Sequence, residues 1–468
     1  MIHADRCFDA DAQVRRVARE LYESTRSLPI VSPHGHVDPR LLAVDEPFEN
    51  PTALIVSPDH YVLRMLYARG ISLESLGVPR RDGQPVETDP RRVWQRFASS
   101  YSAFRGTPTG MWLDHELHEL FGVRERLGDG NANRAYDAIA EKLASPEFRP
   151  RALFRRFVIE VLATTDAASD SLEHHIEIRR SGWGGRVIPS FRPDAVFRLA
   201  SPGWRAAVAS VATASGSAIQ SCDQLVTALA ERRAFFKRMG GTATDHGVLE
   251  PYTEKLTGEE AERLFQRGCS GQATAADQRR WEAHLLMEMA RLSTEDGLVM
   301  QLHAGALRDH NQPLFEQFGP DRGGDIPIAA EFTRNLRPLL NTYGNDSRFT
   351  LILFTLDEST YSRELAPLAG HYPAVRLGAP WWFHDSVEGM VRFFERMTES
   401  AGIDKLAGFT DDTRAFCSIP ARHDLARRVQ ANWLARLVSR HIIDASDARQ
   451  LARALAYDLA KRSYKLVT

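Results

Sequence analysis

The chain is poor in cysteine, and it has neither a long apolar run nor an excess of charge of one sign. Its four cysteines lie far apart and form no CxxC pair, which argues against a disulfide framework or a structural zinc knuckle. No stretch reaches the about 18 consecutive apolar residues of a membrane-spanning helix. The polar N-terminal segment also lacks the apolar stretch of a signal peptide. We therefore expect a soluble, cytoplasmic protein with no membrane partner.

The positive and negative charges nearly cancel. Against 59 Lys+Arg stand 61 Asp+Glu, a formal net charge of −2 over 468 residues. This balance removes the electrostatic argument for a nucleic-acid partner. Hydrophobic residues make up 43% and charged residues 26% of the chain, which is typical of a globular protein with a sizeable core. The composition favours an enzyme.

Short apolar runs alternate with longer amphipathic segments along the chain. Eight runs are candidate strands, at residues 28–34, 157–165, 186–192, 241–246, 297–303, 348–357, 374–382 and 406–412. Most are nearly continuous apolar runs, as in parallel strands that are buried on both faces. Eight strands alternating with helices predict an α/β fold, a (β/α)8 TIM-type barrel. A doubly wound sheet is the competing interpretation.

The gaps between the candidate strands are uneven. Roughly 120 residues separate the first strand from the second, and roughly 50 separate the third, fourth and fifth, which is too long for structureless loops. Helical patterns occupy residues 85–155 and 202–290. We predict a single barrel over residues 1–468, with large helical insertions after strand 1 and around strands 3–5. Insertions of this size often contact other subunits, so we also expect a homo-oligomer.

One of the predicted helices has a clear beginning and end. Apolar residues follow helical spacing over residues 386–400, and Gly402 lies just beyond them. Asp385 and Glu388 are expected to form an N-terminal capping pair for this helix.

Polar side chains follow nearly every candidate strand. In (β/α)8 barrels the reacting groups stand at the carboxyl ends of the strands. Those ends carry His34, His36, Thr165, Asp166, Arg192, Asp245, His246, His303, Asp357, Trp381, Trp382 and Asp412. The sequence therefore predicts a catalytic site at this end of the barrel.

Three of these side chains have the arrangement of a metal site. His34 and His36 are two residues apart on a strand, so both imidazoles point to the same face. Strands one and eight are neighbours in a closed barrel, which brings Asp412 to them. His303 is either a further ligand or a polar group facing substrate. Imidazole with carboxylate suits zinc, manganese, iron or nickel, and we expect one divalent ion, zinc in the first place.

The sequence HELHE at residues 115–119 resembles a metalloprotease motif only superficially. Its second histidine lies three residues after the first and not four, so HExxH is absent. A solvated helix face is the favoured interpretation of this segment.

Eight short motifs, in order, resemble the uronate isomerases, usually called glucuronate isomerases, of the amidohydrolase superfamily. They are PHGHVDP (33–39), PDHYVLRML (58–66), TTDAASDSLEHH (164–175), SFRPD (190–194), TDHG (244–247), QLHAGALRDHN (301–311), WWFHDSVEGM (381–390) and TDDTRAF (410–416). The chain departs from the family's usual THCHL and SWRPD. It also lacks an arginine in residues 356–360, where the nearest is Arg363. The resemblance is that of a divergent branch.

The resemblance implies an aldose–ketose isomerase. The family interconverts D-glucuronate with D-fructuronate and D-galacturonate with D-tagaturonate, so the expected partner is a small uronate sugar. Moving the carbonyl from C1 to C2 through an enediol needs an acid and a base. A cation must stabilise the enediolate oxygen, and arginine suits the C6 carboxylate because it pairs bidentately.

The resemblance also implies roles for individual residues. The metal ligands would be His34, His36, His303 and Asp412, and the catalytic residues Tyr61, His36 and Asp412. The substrate-binding residues would be Arg192, Asp245, His246, Arg308, Trp381 and Arg414.

Some of these residues also have purely structural interpretations. Tyr61 lies in the first insertion, so it must fold back over the barrel mouth, and it is otherwise a core tyrosine. Arg308 is as readily the partner of a structural ion pair. A strand alternates its faces, so we expect Trp381 to point into the site and Trp382 to point away.

Two other classes of protein compete with the isomerase. A metal-dependent hydrolase of the same superfamily would use a metal-bound water as nucleophile. Its binuclear form uses a carboxylated lysine after the fourth strand, and Lys237 and Lys255 lie well away from that strand end. A mononuclear hydrolase therefore remains the alternative. A binding protein without activity would not need His34, His36, His303 and Asp412.

Overall fold

The structure is a computed structural model that describes residues 2–466. Within this range the α-helices are α1 Ala12–Thr25, α2 Arg40–Val44, α3 Pro51–Ile55, α4 His60–Tyr67, α5 Pro90–Ser99, α6 Pro108–His115, α7 Ala132–Leu143, α8 Pro150–Arg156, α9 Glu173–Arg180, α10 Asp194–Phe197, α11 Trp204–Ser215, α12 Cys222–Arg238, α13 Gly258–Ser270, α14 Ala275–Asp296, α15 Gln312–Phe318, α16 Arg337–Tyr343, α17 Ala366–His371, α18 Val387–Ala401, α19 Ile419–Ser439, α20 Ala445–Arg453 and α21 Leu459–Ser463. None of these described helices combines the length and apolar character needed to cross a bilayer.

A parallel sheet forms the centre of the molecule. Its seven strands, in spatial order, are β1 Ile30–Ser32, β2 Ile159–Ala167, β3 Val187–Arg192, β4 Ala243–Val248, β5 Val299–Ala304, β6 Leu351–Thr355 and β7 Val375–Leu377. Each strand pairs in parallel with the next. This mixed α/β architecture is consistent with a TIM-type barrel, and seven of the eight predicted strands are present as regular strands.

The eighth predicted strand, residues 406–412, is irregular. Leu406 pairs with Leu377 of β7 by a single parallel bridge, and the N–H of His36 donates to the Thr413 carbonyl at 3.0 Å. Between these points Gly408 and Asp412 have positive φ values of 88° and 40°. A Cβ at position 408 would lie 2.5 Å from the backbone nitrogen of Ala460. The segment therefore joins β7 to the end of β1 without the extended backbone of a ladder.

The apolar sequence pattern becomes a core on both faces of the sheet. Strands β5 and β6 are buried along their whole length. Helix α14 begins with a capping box between Thr274 and Asp277, and it buries Trp281, Leu285 and Met289 at four-residue spacing in the main core. Each such side chain contributes about 1.5–3 kcal/mol when fully buried. Packing of the helices therefore positions the strand ends.

A second apolar cluster lies mainly in the residues between β1 and β2. Trp94, Phe97, Tyr101 and Phe104 are buried there and pack ring against ring at centroid distances of 5.3 to 5.8 Å. This cluster is distinct from the larger one around the sheet. The helices that follow β1 thus have an apolar core of their own.

The cap of α18 differs from the prediction. Ser386 is the N-cap residue, and its Oγ accepts from the N–H of Gly389 at 3.0 Å. The predicted capping pair of Asp385 and Glu388 is therefore wrong. Asp385 instead accepts a hydrogen bond from the Tyr61 hydroxyl.

The interpretation of HELHE as a solvated face is also wrong in part. The segment Glu116–Leu120 is a turn of π-helix, and Glu116 is only 4% exposed. Burial, together with the nearby charge of Asp59, raises the pKa of Glu116 to about 8. The wide turn brings this carboxyl inward, while Glu119 of the same segment stays exposed.

A glycine beside the strand ends provides a test of this packing. A Cβ at Gly378 would lie 2.4 Å from the ring of Phe354, which itself stacks on His303 at 4.2 Å. We expect Gly378→Ala to lower the free energy of unfolding by about 1–3 kcal/mol through overpacking, measured by urea denaturation. Gly258→Ala is the control, because a Cβ there meets nothing within 4 Å. Equal stability of the two variants would contradict this packing.

Candidate active site

Two histidines and an aspartate converge at the ends of β1 and of the irregular eighth segment. His34 Nε2 and His36 Nε2 lie 3.4 and 3.1 Å from Asp412 Oδ1. Their ligand atoms all lie within 4.8 Å of one another. A tetrahedral ion with ligands at about 2.0–2.1 Å has neighbouring ligand atoms about 3.3 Å apart. The three side chains therefore fit a divalent metal ion.

A second group of possible ligands shares His34 with the first. It consists of His34, Asp245 of β4 and His303 of β5. His303 Nδ1 donates to Asp245 Oδ1 at 2.7 Å, and among the described residues no group binds its buried Nε2. A carboxylate on one imidazole nitrogen orients the other towards a metal. The free Nε2 of His303 can therefore bind a metal ion on the side of His34. The two imidazole rings stack with their centroids 4.7 Å apart.

The two carboxylates of this cluster are held in their ionised form. Burial opposes ionisation of Asp412, but His34 and His36 outweigh it, and the pKa of Asp412 lies well below its usual value. Burial likewise opposes ionisation of Asp245, but Arg192 and His303 lower its pKa well below the usual value. The cluster therefore presents negative charge to a cation.

A cavity of about 380 Å³ opens above the first trio. His36 and Asp412 lie in its wall. The wall also contains the predicted residues Tyr61, Arg192, Arg308, Trp381 and Arg414, together with His60, Arg198 and Trp382. The wall contains four aspartates as well as four arginines, namely Asp194, Asp309, Asp321 and Asp412. The guanidinium groups can pair with the carboxylate of an anionic ligand.

Each predicted arginine is fixed by a carboxylate. Arg192 Nε donates to Asp194 at 2.8 Å, and its Nη1 lies 3.3 Å from Asp245. Arg308 Nη1 donates to Asp325 at 2.7 Å, so it is both an ion-pair partner and part of the cavity wall. Arg414 Nη2 lies 3.0 Å from Asp321 in the same wall. These pairs hold the guanidinium groups in place around the cavity.

Tyr61 reaches the cavity from the first turn of α4. Asp59 caps this helix, because its Oδ1 accepts from the N–H of Tyr61 at 2.8 Å. The Tyr61 hydroxyl donates to Asp385 Oδ2 at 3.0 Å. The segment after β1 that carries Tyr61 therefore lies over the strand ends.

Both tryptophans of the WWF motif line the cavity, so the prediction that Trp382 points away is wrong. Strand β7 already ends at Leu377, and Trp382 has a positive φ of 50°. The alternation of a strand therefore does not apply to this pair. Trp381 packs edge-to-face on His303 at 4.8 Å.

Two residues expected to bind hydroxyls, His246 and Asp245, lie outside the cavity wall. His246 is fully buried, and its Nε2 is hydrogen-bonded to Thr244 Oγ1 at 3.0 Å on the side of the sheet away from the cavity. Neighbouring residues of a strand face opposite sides. Asp245 does face the site, but it lies beneath it as the partner of His303 and Arg192. Neither residue is part of the cavity wall.

The sequence interpretation missed several residues of the site. His60 adjoins Tyr61, and burial together with Arg414 lowers its pKa to about 3. Arg198 lines the cavity beside Arg192. Asp385 lies within the WWFHD motif, which pointed to it, whereas Arg422 is a buried arginine inside α19 that no motif marked.

The arginine absent from residues 356–360 is not supplied by Arg363. The Arg363 side chain is 60% exposed and pairs with Glu364. The cations of the cavity come from other strand ends instead.

Parallel strands that end in a histidine–carboxylate cluster, beneath a cavity that arginines line, define an enzyme of the α/β class, with a sheet consistent with a TIM-type barrel and a candidate metal centre. The glucuronate isomerase family profile matches residues 10–464. Accordingly, the chain belongs to the glucuronate isomerase family.

Individual relatives are similar over the whole length. A uronate isomerase of Nostoc punctiforme is 55% identical, over 100% of this chain and 98% of the relative. The crystal structure of glucuronate isomerase from Caulobacter crescentus superposes with a TM-score of 0.98 at 49% identity, covering 100% of this chain and 98% of that one. A uronate isomerase structure from Thermotoga maritima has a TM-score of 0.92 at 28% identity, covering 99% of each chain.

The metal-binding ability of the first trio is directly testable. We expect Asp412→Asn to bind zinc at least about tenfold more weakly, because it replaces the only charged ligand of the trio with a neutral amide. The affinity is measured by competition with a chromophoric chelator. His118→Asn, in the π-helical turn outside the site, should leave the affinity unchanged. Equal zinc affinities of the two variants would rule out Asp412 as a ligand.

Proposed function

We propose that the protein interconverts D-glucuronate with D-fructuronate, D-galacturonate with D-tagaturonate, or both. The observation that carries this proposal is one cavity whose wall contains four arginines, Tyr61, and His36 and Asp412 of the metal-binding trio. An aldose–ketose isomerase needs these elements together: cations for the C6 carboxylate, groups that transfer protons and a cation beside the reacting oxygens.

In this proposal His34, His36 and Asp412 hold one divalent ion, zinc in the first place and manganese, iron or nickel as alternatives, with His303 as a further ligand. When bound, the ion stabilises the negative oxygen of the enediolate. The Nε2 atoms of His34 and His36 and the ionised carboxylate of Asp412 are the donor set that such ions prefer.

The protein's own residues orient the sugar. Arg192, Arg308 and Arg414 bind the C6 carboxylate and neighbouring hydroxyls, and Arg198 adds to the positive potential. Trp381 packs against a face of the sugar. In this proposal C1 and C2 of the sugar lie near Asp412 and Tyr61.

Proton transfer is assigned to groups near the metal site. Tyr61 exchanges protons with substrate oxygens, and His36 and Asp412 handle protons next to them. The reaction moves a proton from C2 to C1, so it consumes none overall. A mononuclear hydrolase is the weaker alternative, because the arginines around the cavity match a sugar acid better than an amide.

We further propose that residues 406–412 complete an eight-stranded barrel across the gap between β7 and β1. The bridge of Leu406 to Leu377 and the bond from His36 to Thr413 support this closure. Residues 1–468 then form one domain with helical insertions at 85–155 and 202–290. A homo-oligomer built through these insertions is part of the proposal, and light scattering tests it.

Proton NMR in D2O tests the reaction. We expect zinc-loaded protein to produce a ketose from D-glucuronate or D-galacturonate, with deuterium entering at C1, and the faster sugar identifies the preferred substrate. Protein treated with a chelator should be much slower. No ketose from either sugar, with metal shown to be bound, would overturn the proposal.

The role of Arg414 is separable by kinetics. We expect Arg414→Lys to raise KM for the uronate about tenfold, about 1.4 kcal/mol, because lysine replaces a planar fork with a point charge. The change in kcat should be smaller. Arg363→Lys, at an exposed side chain, is the control. An unchanged KM in Arg414→Lys would remove Arg414 from the carboxylate site.

A further inference from the structure

A buried aspartate lies behind the Tyr61 hydroxyl, on the side away from the cavity. Asp385 Oδ2 accepts the hydrogen bond of Tyr61 at 3.0 Å and lies 3.3 Å from Arg422 Nη1. Its other oxygen, Oδ1, is buried and has no hydrogen-bond partner among residues 2–466. Unlike Tyr61, Asp385 is not part of the cavity wall. The carboxyl therefore reaches the site only through the tyrosine.

Arg422 holds this pair in position. Its guanidinium carbon lies 3.7 Å from the centre of the Trp112 ring and 4.9 Å from that of Tyr61. Its Nη1 also donates to the Asp411 carbonyl at 3.2 Å, next to Asp412. One buried cation thus fixes the tyrosine, its carboxyl partner and the backbone that carries Asp412. Tyr61 and Asp412 are thereby held on the same cavity wall.

The surroundings suit the carboxyl to accept a proton. The pKa of Asp385 is raised to about 7: burial is the largest cause, Arg422 and the hydrogen bond of Tyr61 lower it, and the charge of Asp412 raises it. Burial and Asp385 also raise the pKa of the Tyr61 phenol well above its usual value. The phenol of Tyr61 therefore does not ionise by itself. To accept a proton from substrate, Tyr61 must pass its own hydroxyl proton to a partner.

We infer that Asp385 is the proton acceptor behind Tyr61, so that the two side chains act as one base. This inference rests on the proposed isomerase function. A hydroxyl proton of the sugar moves to Tyr61 Oη while the proton of Tyr61 moves to Asp385 Oδ2. One sugar O–H bond breaks and one O–H bond of Asp385 forms. The reverse transfer returns the proton to the sugar later in the cycle, so the balance is zero.

The inference has a pH signature. Asp385 accepts a proton only while it is ionised, so kcat should fall as the pH drops below about 7. The charged and titratable groups that face Asp385 are Tyr61, Arg64, Arg422 and Asp412, with Asp59 beyond Arg422. Asp385 acts through Tyr61 and does not touch the sugar, so it is a positioning residue of the reaction.

A double-mutant cycle with zinc-loaded protein tests the inference. Asp385→Asn should lower kcat about 10²–10³-fold, within the range of general acid–base catalysis, while KM changes less than about threefold. The fall of kcat below about pH 7 should disappear in this variant. Tyr61→Phe combined with Asp385→Asn should be no slower than Tyr61→Phe alone, because the aspartate acts only through the tyrosine.

A second Tyr–Asp–Arg triplet in the same protein provides the matched control. The Tyr22 hydroxyl donates to Asp424, and the guanidinium of Arg428 lies 4.1 Å from the Tyr22 ring centre. Neither Tyr22 nor Asp424 lines the cavity. Asp424→Asn should lower the thermal stability, and it should leave kcat and its pH profile unchanged.

Asp385→Glu keeps the carboxyl, so it should restore part of the kcat that Asp385→Asn loses, together with the fall of kcat below pH 7. This result would show that the loss in Asp385→Asn comes from proton acceptance and not from misfolding. An Asp385→Asn enzyme that keeps the wild-type pH profile would overturn the inference, as would single-variant losses that multiply in the double variant. Wild-type protein that binds zinc and converts neither sugar would instead overturn the proposed function. The two failures are therefore distinguishable.

Discussion

The site depends on keeping carboxylates charged where water is nearly excluded. Asp245 and Asp412 stay ionised because histidines and Arg192 surround them. Glu116, a buried carboxyl with which no histidine or arginine of residues 2–466 pairs, behaves in the opposite way, since its pKa rises to about 8. A buried carboxylate of this site stays ionised only because arginine and histidine side chains stand next to it. The same groups provide the donor set of a metal ion and the potential that attracts an anion.

The Tyr–Asp–Arg triplet occurs twice, and its position decides what it does. At Tyr22, Asp424 and Arg428 it joins the N-terminal helix α1 to α19. At Tyr61, Asp385 and Arg422 it joins α4 to the same α19, but there the phenol borders the cavity. The two triplets contain the same residue types but differ in charge state: burial opposes ionisation of Asp424, but Arg6 and Arg428 lower its pKa, whereas burial raises the pKa of Asp385 to about 7. Of the two tyrosines, Tyr61 lines the cavity and Tyr22 does not.

Local sequence patterns predicted much of the fold. Apolar runs located seven of the regular strands, since strands buried on both faces must be apolar along their length. The i, i+2 spacing of His34 and His36 and the neighbouring ends of strands one and eight predicted their convergence with Asp412. The alternation of a strand failed at Trp382, because the regular strand had ended five residues earlier, at Leu377.

By itself, the sequence determined the strand order, the polar residues at the strand ends and, through eight motifs, the family. Only the tertiary structure decided which of those residues face the cavity. In the tertiary structure His246 points away from the cavity, Asp245 binds His303 outside the cavity wall, and Asp385 contacts Tyr61 although 324 positions separate them in the chain. Periodicity reports the direction of a side chain within one element. Contacts between distant segments follow from how helices pack on the sheet, which no local pattern encodes.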